Sequence, residues 1–411
     1  MTEANTISED IQYDVIIVGG GVYGAVIARE CACKGYRTAL IEKGEFCGST
    51  SAHSLNVLHG GLRYLQHFNI KRMRRSINSR RYFQRISPDN IEYLPFLTPL
   101  DSWGINSPFI MRRALLLNDL ISIDRNSGMS QQQYLKGGSV LSRKSLLREL
   151  PGFSEKPVSG AAIWYEAVMN NVKQLVNDVL NSAVENGAVI ANNTEAIELI
   201  HDDGKVTGLS CKNSQGKNID IHGRIVIDTS GRTKEKLGSS LPDYQAIRQH
   251  WARAVNMLVD RCPFKGYSVG LKYSDNVMDK EAKFNSGNRH LFFVPVKHGT
   301  AIGTFYEPEK AVNGELEINS SDQQKYLDAV NSVLPEGSIS SDNITGWQSG
   351  WLPVDNASDE QLNIAKASRI RTIDSKGAFS GLIEVRSVKF TTAPAVAGDV
   401  MKLLDGLNTK G

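Results

Sequence analysis

A glycine-rich turn between an apolar segment and a helical segment most constrains how this chain can fold. Tyr13–Val18 is a continuous apolar run, which is typical of a buried parallel strand. Residues 19–24 (GGGVYG) follow it and satisfy the G-x-G-x-x-G pattern. A helix is predicted over Val22–Lys34, and the next apolar run ends in Glu42, 18 residues after Gly24. This order predicts a βαβ unit that binds a dinucleotide.

The glycines of the turn have separate physical roles. Gly19 permits the tight turn, Gly21 lets the backbone approach a pyrophosphate, and Gly24 lets the helix pack closely on the strand. The helix N-terminus offers N–H groups and the positive end of its dipole to the phosphates. Glu42 would accept hydrogen bonds from the adenosine ribose. The motif alone does not separate FAD from NAD.

Other segments predict that the cofactor domain is discontinuous. Further helices are predicted over residues 62–86, 172–185 and 393–407, and strands over 188–190, 196–200, 206–212, 218–221 and 224–228. Residues 91–150 show short apolar pieces without a clear period, whereas 245–345 alternate as in an antiparallel sheet. We therefore expect an α/β protein. Its cofactor domain would cover residues 12–90, 151–240 and 346–411, and its antiparallel-sheet cap 91–150 and 241–345.

Charge and cysteine usage exclude several classes of protein. The net charge of +3 implies no general affinity for nucleic acid. No run of 18 apolar residues predicts a membrane span, and the polar, acidic start does not resemble a signal peptide. The five cysteines are scattered without zinc-finger spacing, so we expect reduced thiols, no metal and a cytoplasmic location.

A second set of motifs indicates which dinucleotide binds. Residues 44–51 (GEFCGSTS) form a hydroxyl-rich loop suited to phosphates, and 58–65 (LHGGLRYL) follow. Together with the first βαβ unit, these residues resemble the FAD-dependent glycerol-3-phosphate dehydrogenase family, within the D-amino-acid-oxidase-like flavoproteins. The resemblance continues through 93–96 (YLPF), 225–231 (IVIDTSG), 289–295 (RHLFFVP), 302–304 (IGT) and 389–392 (KFTT).

The resemblance implies FAD as cofactor and a glutathione-reductase-like FAD-binding domain beneath an antiparallel-sheet substrate cap. It assigns FAD contacts to the following positions: Gly19, Gly21, Gly24, Glu42, Lys43, Ser49, Thr50, Ser51, Gly231, Lys389, Thr391 and Thr392. The last three belong to the segment that approaches the flavin in the family. Hydroxyls, a lysine and a helix N-terminus there would stabilise the negative charge that hydride transfer brings to the N1/O2 edge.

The resemblance also implies residues near the substrate. A neutral His59 imidazole can take a hydroxyl proton while a hydride leaves carbon for the flavin. Arg63, Tyr64 and Arg289 match positions that recognise phosphate, and the planar donor fork of arginine suits that role. The alternatives are a structural histidine at position 59, and salt bridges at the protein surface or a helix cap for the other three.

Several departures separate this chain from the family on the substrate side. Residues 349–353 (SGWLP) place Leu352 where the family has an arginine, and Trp351 adds bulk beside it. Residues 253–256 (RAVN) replace a Lys-Gly-Ser-His stretch, and Ser387 and Pro394 replace a glycine and an arginine. We also expect the family's C-terminal helical domain to be missing. Glycerol-3-phosphate is therefore not the expected substrate. We expect the oxidation of a hydroxyl-bearing carbon in another polar or anionic small molecule.

Several alternatives stay open. An amine or amino-acid oxidase of the same superfamily is the second interpretation, and a non-catalytic flavoprotein the third. His53 lies near a position where some flavoproteins attach FAD covalently. The stretch from His59 to Ile86 holds eight Arg or Lys and no acid, which fits either peripheral contact with the inner face of the membrane or a solvated helix face over an apolar stripe. The electron acceptor could be a quinone, oxygen or a protein.

Overall fold

The computed structural model describes residues 7–232, 237–246, 249–273, 289–312, 314, 316–357, 362–365 and 367–408. The chain divides into two compact units. The first comprises Met1–Ala52, Asn171–Gln249 and Ala365–Gly411, and the second comprises His53–Asn170 and His250–Ile364. All five cysteines are free thiols.

The helices and strands are numbered in chain order. The strands of the first unit are β1 (Tyr13–Val18), β2 (Thr38–Ile41), β7 (Val189–Ala191), β8 (Glu195–Asp202), β9 (Lys205–Lys212), β10 (Asn218–Asp228), β17 (Arg369–Ser375) and β18 (Ala378–Arg386). Those of the second are β3 (Val57–Leu58), β4 (Ile91–Leu100), β5 (Ser139–Ser142), β6 (Gly160–Met169), β11 (His250–Val259), β12 (Ser268–Tyr273), β13 (Arg289–Val296), β14 (Gly299–Pro308), β15 (Ile344–Ala357) and β16 (Leu362–Ile364). The helices are α1 (Val22–Cys33), α2 (Ile70–Ile86), α3 (Pro108–Ile121), α4 (Arg143–Glu149), α5 (Val172–Glu185), α6 (Ser320–Val333) and α7 (Ala393–Asn408).

The first unit is built on a mainly parallel sheet in the order β17-β18-β10-β1-β2-β7. β1 pairs in parallel with β2 and β10, β2 with β7, and β10 with β18. α1 packs against α5 and α7, and the apolar residues of β1 are buried, as its continuous hydrophobic sequence predicts. Because parallel strands end at the same edge, the segments that follow β1, β2, β10 and β18 meet there.

The second unit is built on a largely antiparallel sheet in the order β16-β15-β11-β14-β13-β12-β4-β6-β3. α4 and α6 cover one face, where residues such as Val255, Phe293 and Tyr326 form a core. We call this the helix-covered face. Alternation along the strands places Asn256 and Phe292 on the opposite face, together with Phe96. We call it the His59 face, because the His59 ring packs there against Phe96 and Phe292.

The basic stretch predicted as one helix over residues 62–86 is interrupted. A 3-10 segment covers Leu62–His67, and α2 begins afterwards, where the Asn69 side chain accepts a hydrogen bond from the Arg72 N–H (3.0 Å). Met73 and Ile77 are completely buried, so this part of the apolar stripe of α2 faces the core, whereas Ile70 at the start of the helix is 53% exposed. Among the described residues, no helix is both long and apolar enough to cross a membrane.

The unit boundaries differ from those expected. Residues 53–90, 151–170 and 346–364 belong to the second unit, although they were predicted for the cofactor domain, and 241–249 belong to the first. The reason is long-range strand pairing: β3 and β4 both pair with β6, and β15 pairs with β11 along its length. Such pairings leave no local signal in the sequence. Helices α3, α4 and α6 were also not predicted, and α6 lies in the 245–345 stretch that was expected to be antiparallel sheet.

Candidate cofactor and substrate sites

The backbone of the glycine turn packs so closely that position 24 has no space for a side chain. A Cβ at Gly24 would lie 1.9 Å from the carbonyl oxygen of Gly19. Thr229 follows β10, and its hydroxyl oxygen lies 2.8 Å from the Val18 carbonyl oxygen and 3.0 Å from that of Gly19. Helix α1 therefore starts against the end of β1 with no room for a larger residue at position 24, as the motif predicts.

Gly21 differs, because its backbone does not require a glycine and the space beside it is less restricted than that at Gly24. Its φ of −75° is ordinary. Among the described residues other than its chain neighbours, only Ser51 has atoms within 4 Å of a Cβ placed there, with Oγ at 3.0 Å. The same Oγ accepts a hydrogen bond from the Val22 N–H (3.1 Å) at the start of α1. Open space beside these first helical amides fits the pyrophosphate of a dinucleotide.

Glu42, which follows β2, is fixed by two hydrogen bonds from backbone amides. Its Oε2 accepts the Gly20 N–H at 2.7 Å and its Oε1 the Gly44 N–H at 3.0 Å. Each carboxylate oxygen keeps a second lone pair for a hydroxyl donor. Lys43 and Ser49 are exposed beside it, so this edge of the sheet presents both the acid and the polar loop that the sequence predicted.

The turn after β10 ends at another predicted FAD position. Asp228 accepts the Ser230 N–H at 2.9 Å and a hydrogen bond from Arg386 at 3.3 Å. Gly231 then adopts a φ of +76°, which favours glycine. β10 and β18 are thus linked at the edge where the glycine turn lies.

Tyr23 connects the glycine motif to the 389–392 segment, a link that sequence reasoning missed. Its hydroxyl donates to the Lys389 carbonyl oxygen (2.9 Å) and lies 2.6 Å from the Thr392 hydroxyl oxygen. Burial raises the pKa of Tyr23, so the phenol stays protonated. Thr391 is buried, whereas Lys389 is exposed. Tyr23 occupies one of the variable positions of the G-x-G-x-x-G pattern, and an aromatic residue there is what an ordinary core position would show. Nothing in the local sequence therefore indicated its contact with the 389–392 segment.

In the second unit, His59 lies beside a buried ion pair. Glu166 Oε2 accepts the Gly60 N–H (2.7 Å) and a hydrogen bond from Arg80 (2.9 Å), while Glu166 Oε1 is 3.9 Å from His59 Nδ1. Burial acts to raise the pKa of Glu166, but His59, Arg80 and the Gly60 N–H outweigh it and hold that pKa below its usual value. The His59 side chain is 51% exposed. An ionised carboxylate therefore faces a solvent-accessible imidazole.

Sequence reasoning missed Glu166 and Arg80. Glu166 is the only acid in β6, an otherwise mainly apolar and buried strand, and that isolation was an available signal. Arg80 is buried among the many basic residues of α2, and nothing distinguished it. β3 brings His59 to them because Leu58 pairs with Ala167 on β6.

Strand β13 gathers three further residues of interest. The ring of Phe292 lies 6.4 Å from that of His59. Burial, reinforced by the charge of Arg63, lowers the pKa of His290 to about 4, so its imidazole is neutral at neutral pH. The Arg289 guanidinium donates to the Thr304 carbonyl oxygen (2.8 Å) and lies 4.5 Å from the centre of the Tyr306 ring. His59 and Arg63 thus both lie near β13, while Arg289 is held at its start.

The other residues predicted for the substrate pocket are separated. Tyr64 is buried with Met73 and Ile77 in a small core. Trp351 and Leu352 are consecutive in β15, so they point to opposite faces. Trp351 pairs with Arg253 on the helix-covered face, whereas Leu352 belongs to the His59 face. β11 and β14 lie between β15 and β13 in the sheet.

Arg253 begins the 253–256 stretch, which differs in sequence from the family, and its side chain stabilises the core of the second unit. It is fully buried and bonds to Glu307 and Asp322, the latter at 2.7 Å. Glu307 also accepts a hydrogen bond from Tyr326 (2.6 Å). Asn256 faces the other way and accepts the Thr304 hydroxyl at 2.8 Å. This stretch therefore provides no cation to the His59 face.

His53, the candidate for covalent attachment of FAD, makes a hydrogen bond within the second unit. Its Nδ1 lies 2.6 Å from the Ser349 carbonyl oxygen, which can only accept, so Nδ1 carries the proton. That nitrogen is occupied by the protein itself.

Comparisons with known proteins agree with this geometry. The model of a family described as FAD dependent oxidoreductase matches residues 14–400. Alpha-glycerophosphate oxidase of Streptococcus pneumoniae is 29% identical over 352 residues, which cover 83% of this chain and 54% of that protein. The glycerol-3-phosphate dehydrogenase structure from Bacillus halodurans, complexed with FAD, aligns with a TM-score of 0.70 at 20% identity over 97% of this chain and 66% of that one. Glycine oxidase from Bacillus cereus aligns with a TM-score of 0.61 at 18% identity, over 96% and 95% of the two chains.

This chain spans about half the length of the curated relatives that it matches. The structural matches confirm the predicted α/β fold, with an FAD-binding domain and an antiparallel-sheet substrate domain. The open space at Gly21, the acid at Glu42 and the amides of α1 fit FAD. The chain belongs to the family of FAD-dependent oxidoreductases, and FAD is its cofactor.

Proposed function

We propose that this protein oxidises a hydroxyl-bearing carbon of a polar or anionic small molecule, with the hydride passing to FAD. The observation that carries the proposal is the exposed His59 imidazole beside the ionised, buried Glu166. An imidazole in this arrangement is a base for a substrate hydroxyl, because the carboxylate stabilises the imidazolium that forms. We place the substrate on the His59 face of the second unit.

The reaction breaks one C–H and one O–H bond and forms a C=O bond. His59 accepts the hydroxyl proton at Nε2, since Nδ1 faces Glu166. FAD, when bound, accepts the hydride and with it two electrons. The rings of Phe96 and Phe292 lie with their centres 6.4 Å from that of the imidazole and orient it on this face of the sheet. Arg80 keeps Glu166 ionised throughout, so the charge that stabilises the imidazolium is present before the substrate arrives.

The substrate is proposed to differ from glycerol-3-phosphate. Leu352 offers an apolar surface on the His59 face, where the related family has an arginine for the phosphate. Arg63, whose charge reaches His290, supplies a cation for a polar or anionic group elsewhere on the molecule.

The electron acceptor is proposed to be a quinone, oxygen or a protein. We also propose a cytoplasmic location, with peripheral contact to the inner face of the membrane.

Amine or amino-acid oxidation is the second candidate, because a glycine oxidase shares the fold. Such an enzyme needs a cation for the substrate carboxylate. Leu352 lies where the resemblance would place that cation, which makes this candidate the weaker one.

Anaerobic bleaching of the flavin tests the proposal directly. The holoprotein would be mixed with polyol phosphates, hydroxy acids and amines, and the flavin absorbance followed in a stopped-flow instrument. We expect bleaching by at least one hydroxyl compound, because His59 can accept the hydroxyl proton as the hydride leaves carbon. Bleaching by amines alone would overturn the proposal in favour of the oxidase. Lack of bleaching across the panel would favour a non-catalytic flavoprotein.

A further inference from the structure

A small cavity borders the ion pair of Glu166 and Arg80 in the second unit. Its volume is about 20 Å³, which is room for about one water-sized ligand. Helices α2 and α3, strand β6 and the segment between α3 and β5 supply its walls. The lining side chains that carry a charge are Arg80, Asp119, Arg125, Lys136 and Glu166. We call it the Arg80 cavity.

The charge of Arg80 is incompletely compensated within the protein. Its side chain is 4% exposed, and its Nη1 donates a hydrogen bond to Glu166 Oε2 at 2.9 Å. Its Nε, by contrast, has no hydrogen-bond partner among the described residues. Burial lowers the pKa of Arg80, and the charge of Arg125 adds to that shift, although Glu166 opposes it. A buried guanidinium in this state favours a second acceptor that carries negative charge.

The two carboxylates of the Arg80 cavity are already bound by other groups. Asp119 accepts a hydrogen bond from Arg125 at 3.1 Å and one from a backbone N–H at 3.0 Å. Glu166 accepts Arg80 and another backbone N–H. Three cations, the third being Lys136, therefore line the cavity against two carboxylates, which leaves a net charge of +1. A metal cation fits such a lining poorly, and water cannot offset the excess charge.

We propose that the Arg80 cavity binds one small monovalent anion, such as chloride. The Arg80 Nε–H is the donor that lacks an acceptor, and Lys136 supplies the charge that neither carboxylate of the cavity offsets. The volume favours a monatomic anion over phosphate. This inference goes beyond the proposed function and does not depend on the reaction. The bound ion would nevertheless neighbour the charge pair that lies beside His59.

Bromide, which replaces chloride and scatters X-rays anomalously, locates the ion directly. Crystals of the FAD-loaded protein would be soaked in sodium bromide, and we expect an anomalous peak in the Arg80 cavity in contact with Arg80 Nε. In solution, chloride would be exchanged for gluconate at constant ionic strength. Gluconate is too large for the cavity, so chloride should raise the midpoint of thermal unfolding by about 2 °C or more, with saturation.

A matched pair of lysine variants assigns the effect to the cavity. Lys136→Met keeps most of the side-chain length without the charge, so it should weaken the response to chloride at least about tenfold and remove the bromide peak. Lys144→Met changes an exposed lysine of α4 and should respond to chloride as the wild type does. Neither lysine has a part in the proposed reaction. Flavin reduction measured in gluconate should therefore be unchanged in both variants, and a failure of the anion site is distinct from a failure of that reaction.

Three outcomes would overturn the proposal. The first is a cavity that holds only water in bromide-soaked crystals, with bromide confined to the protein surface. The second is a midpoint of unfolding that is the same in chloride and in gluconate. The third is an equal response to chloride in Lys136→Met and the wild type, because the ion would then act at another place on the molecule.

Discussion

The two units build their sites in different ways. In the first, the groups that fit FAD are backbone amides, a glycine and an acid that follow the ends of adjacent parallel strands. In the second, His59, Glu166 and Arg80 come from distant segments and meet only when β3 pairs with β6. The first site is thus defined by local backbone geometry. The second is defined by the buried ion pair of Glu166 and Arg80 beside His59.

This difference predicts different responses to substitution. A side chain added at the glycine turn of the first unit occupies the space that we expect the cofactor to fill, so its effect should be all or none. A side chain changed in the second unit removes one charge or one contact among several, so its effect is graded. The substitutions below test this contrast.

Gly21→Glu should abolish FAD binding, the largest effect expected. A side chain there extends into the space beside the α1 amides, and the carboxylate would repel the pyrophosphate. The purified variant should be colourless and release no FAD on denaturation, whereas the wild type should be yellow. Gly398→Glu is the matched control, because Gly398 is exposed in α7 with open space around it. A well-folded Gly21→Glu protein that keeps FAD, or a wild type that yields NAD, would contradict the assignment.

His59→Ala should slow flavin reduction by at least about 100-fold with FAD still bound, as expected for the loss of a general base. The groups predicted to contact FAD belong to the first unit, so cofactor content should not change. His298→Ala, an exposed histidine of the second unit, should reduce its flavin at the normal rate. If His59→Ala loses FAD and stability together, then His59 has a structural role and the contrast between the units fails.

The same contrast explains how much the sequence could predict. The order of strand, glycine turn, helix and acid is consecutive in the chain, and the structure has Tyr13–Val18 as predicted and the helix from Val22. Glu166 and Arg80 could not be predicted as a pair, because residues 86 apart meet through sheet pairing. The face to which Trp351 points also depends on the register between β11 and β15.

Leu352→Arg should raise the rate of flavin reduction by glycerol-3-phosphate by about tenfold or more. A hydrogen bond to a charged group contributes about 1.5–3 kcal/mol, and leucine forfeits it while placing apolar surface against the anion. Leu352→Met keeps the volume without the charge and should show no gain. Rapid stoichiometric bleaching of the wild-type flavin by glycerol-3-phosphate would instead restore that compound as the substrate.

Glu166→Gln should slow flavin reduction by about tenfold, less than the loss of His59, since Glu166 positions the imidazole and stabilises its charge. The neutral amide no longer favours the imidazolium, so kcat should fall while KM stays nearly unchanged. Glu166→Asp, which keeps the charge, should restore the rate in part. A loss of stability together with the rate, and no rescue by Glu166→Asp, would mean that Glu166 serves the fold alone.

Trp351→Phe should have the smallest effect on catalysis, and it tests which face of the second unit meets the substrate. Trp351 and Leu352 are neighbours in β15, but Trp351 pairs with the buried Arg253 on the helix-covered face. Removing part of the indole there should lower the free energy of unfolding by about 1–2 kcal/mol, measured from urea unfolding. The KM for the substrate identified by bleaching should change by less than about threefold, because a 1.4 kcal/mol loss of contact would be needed for a tenfold change. Unchanged stability with a tenfold higher KM would place Trp351 in the wall of the substrate pocket. The substrate would then lie on the helix-covered face and not on the His59 face.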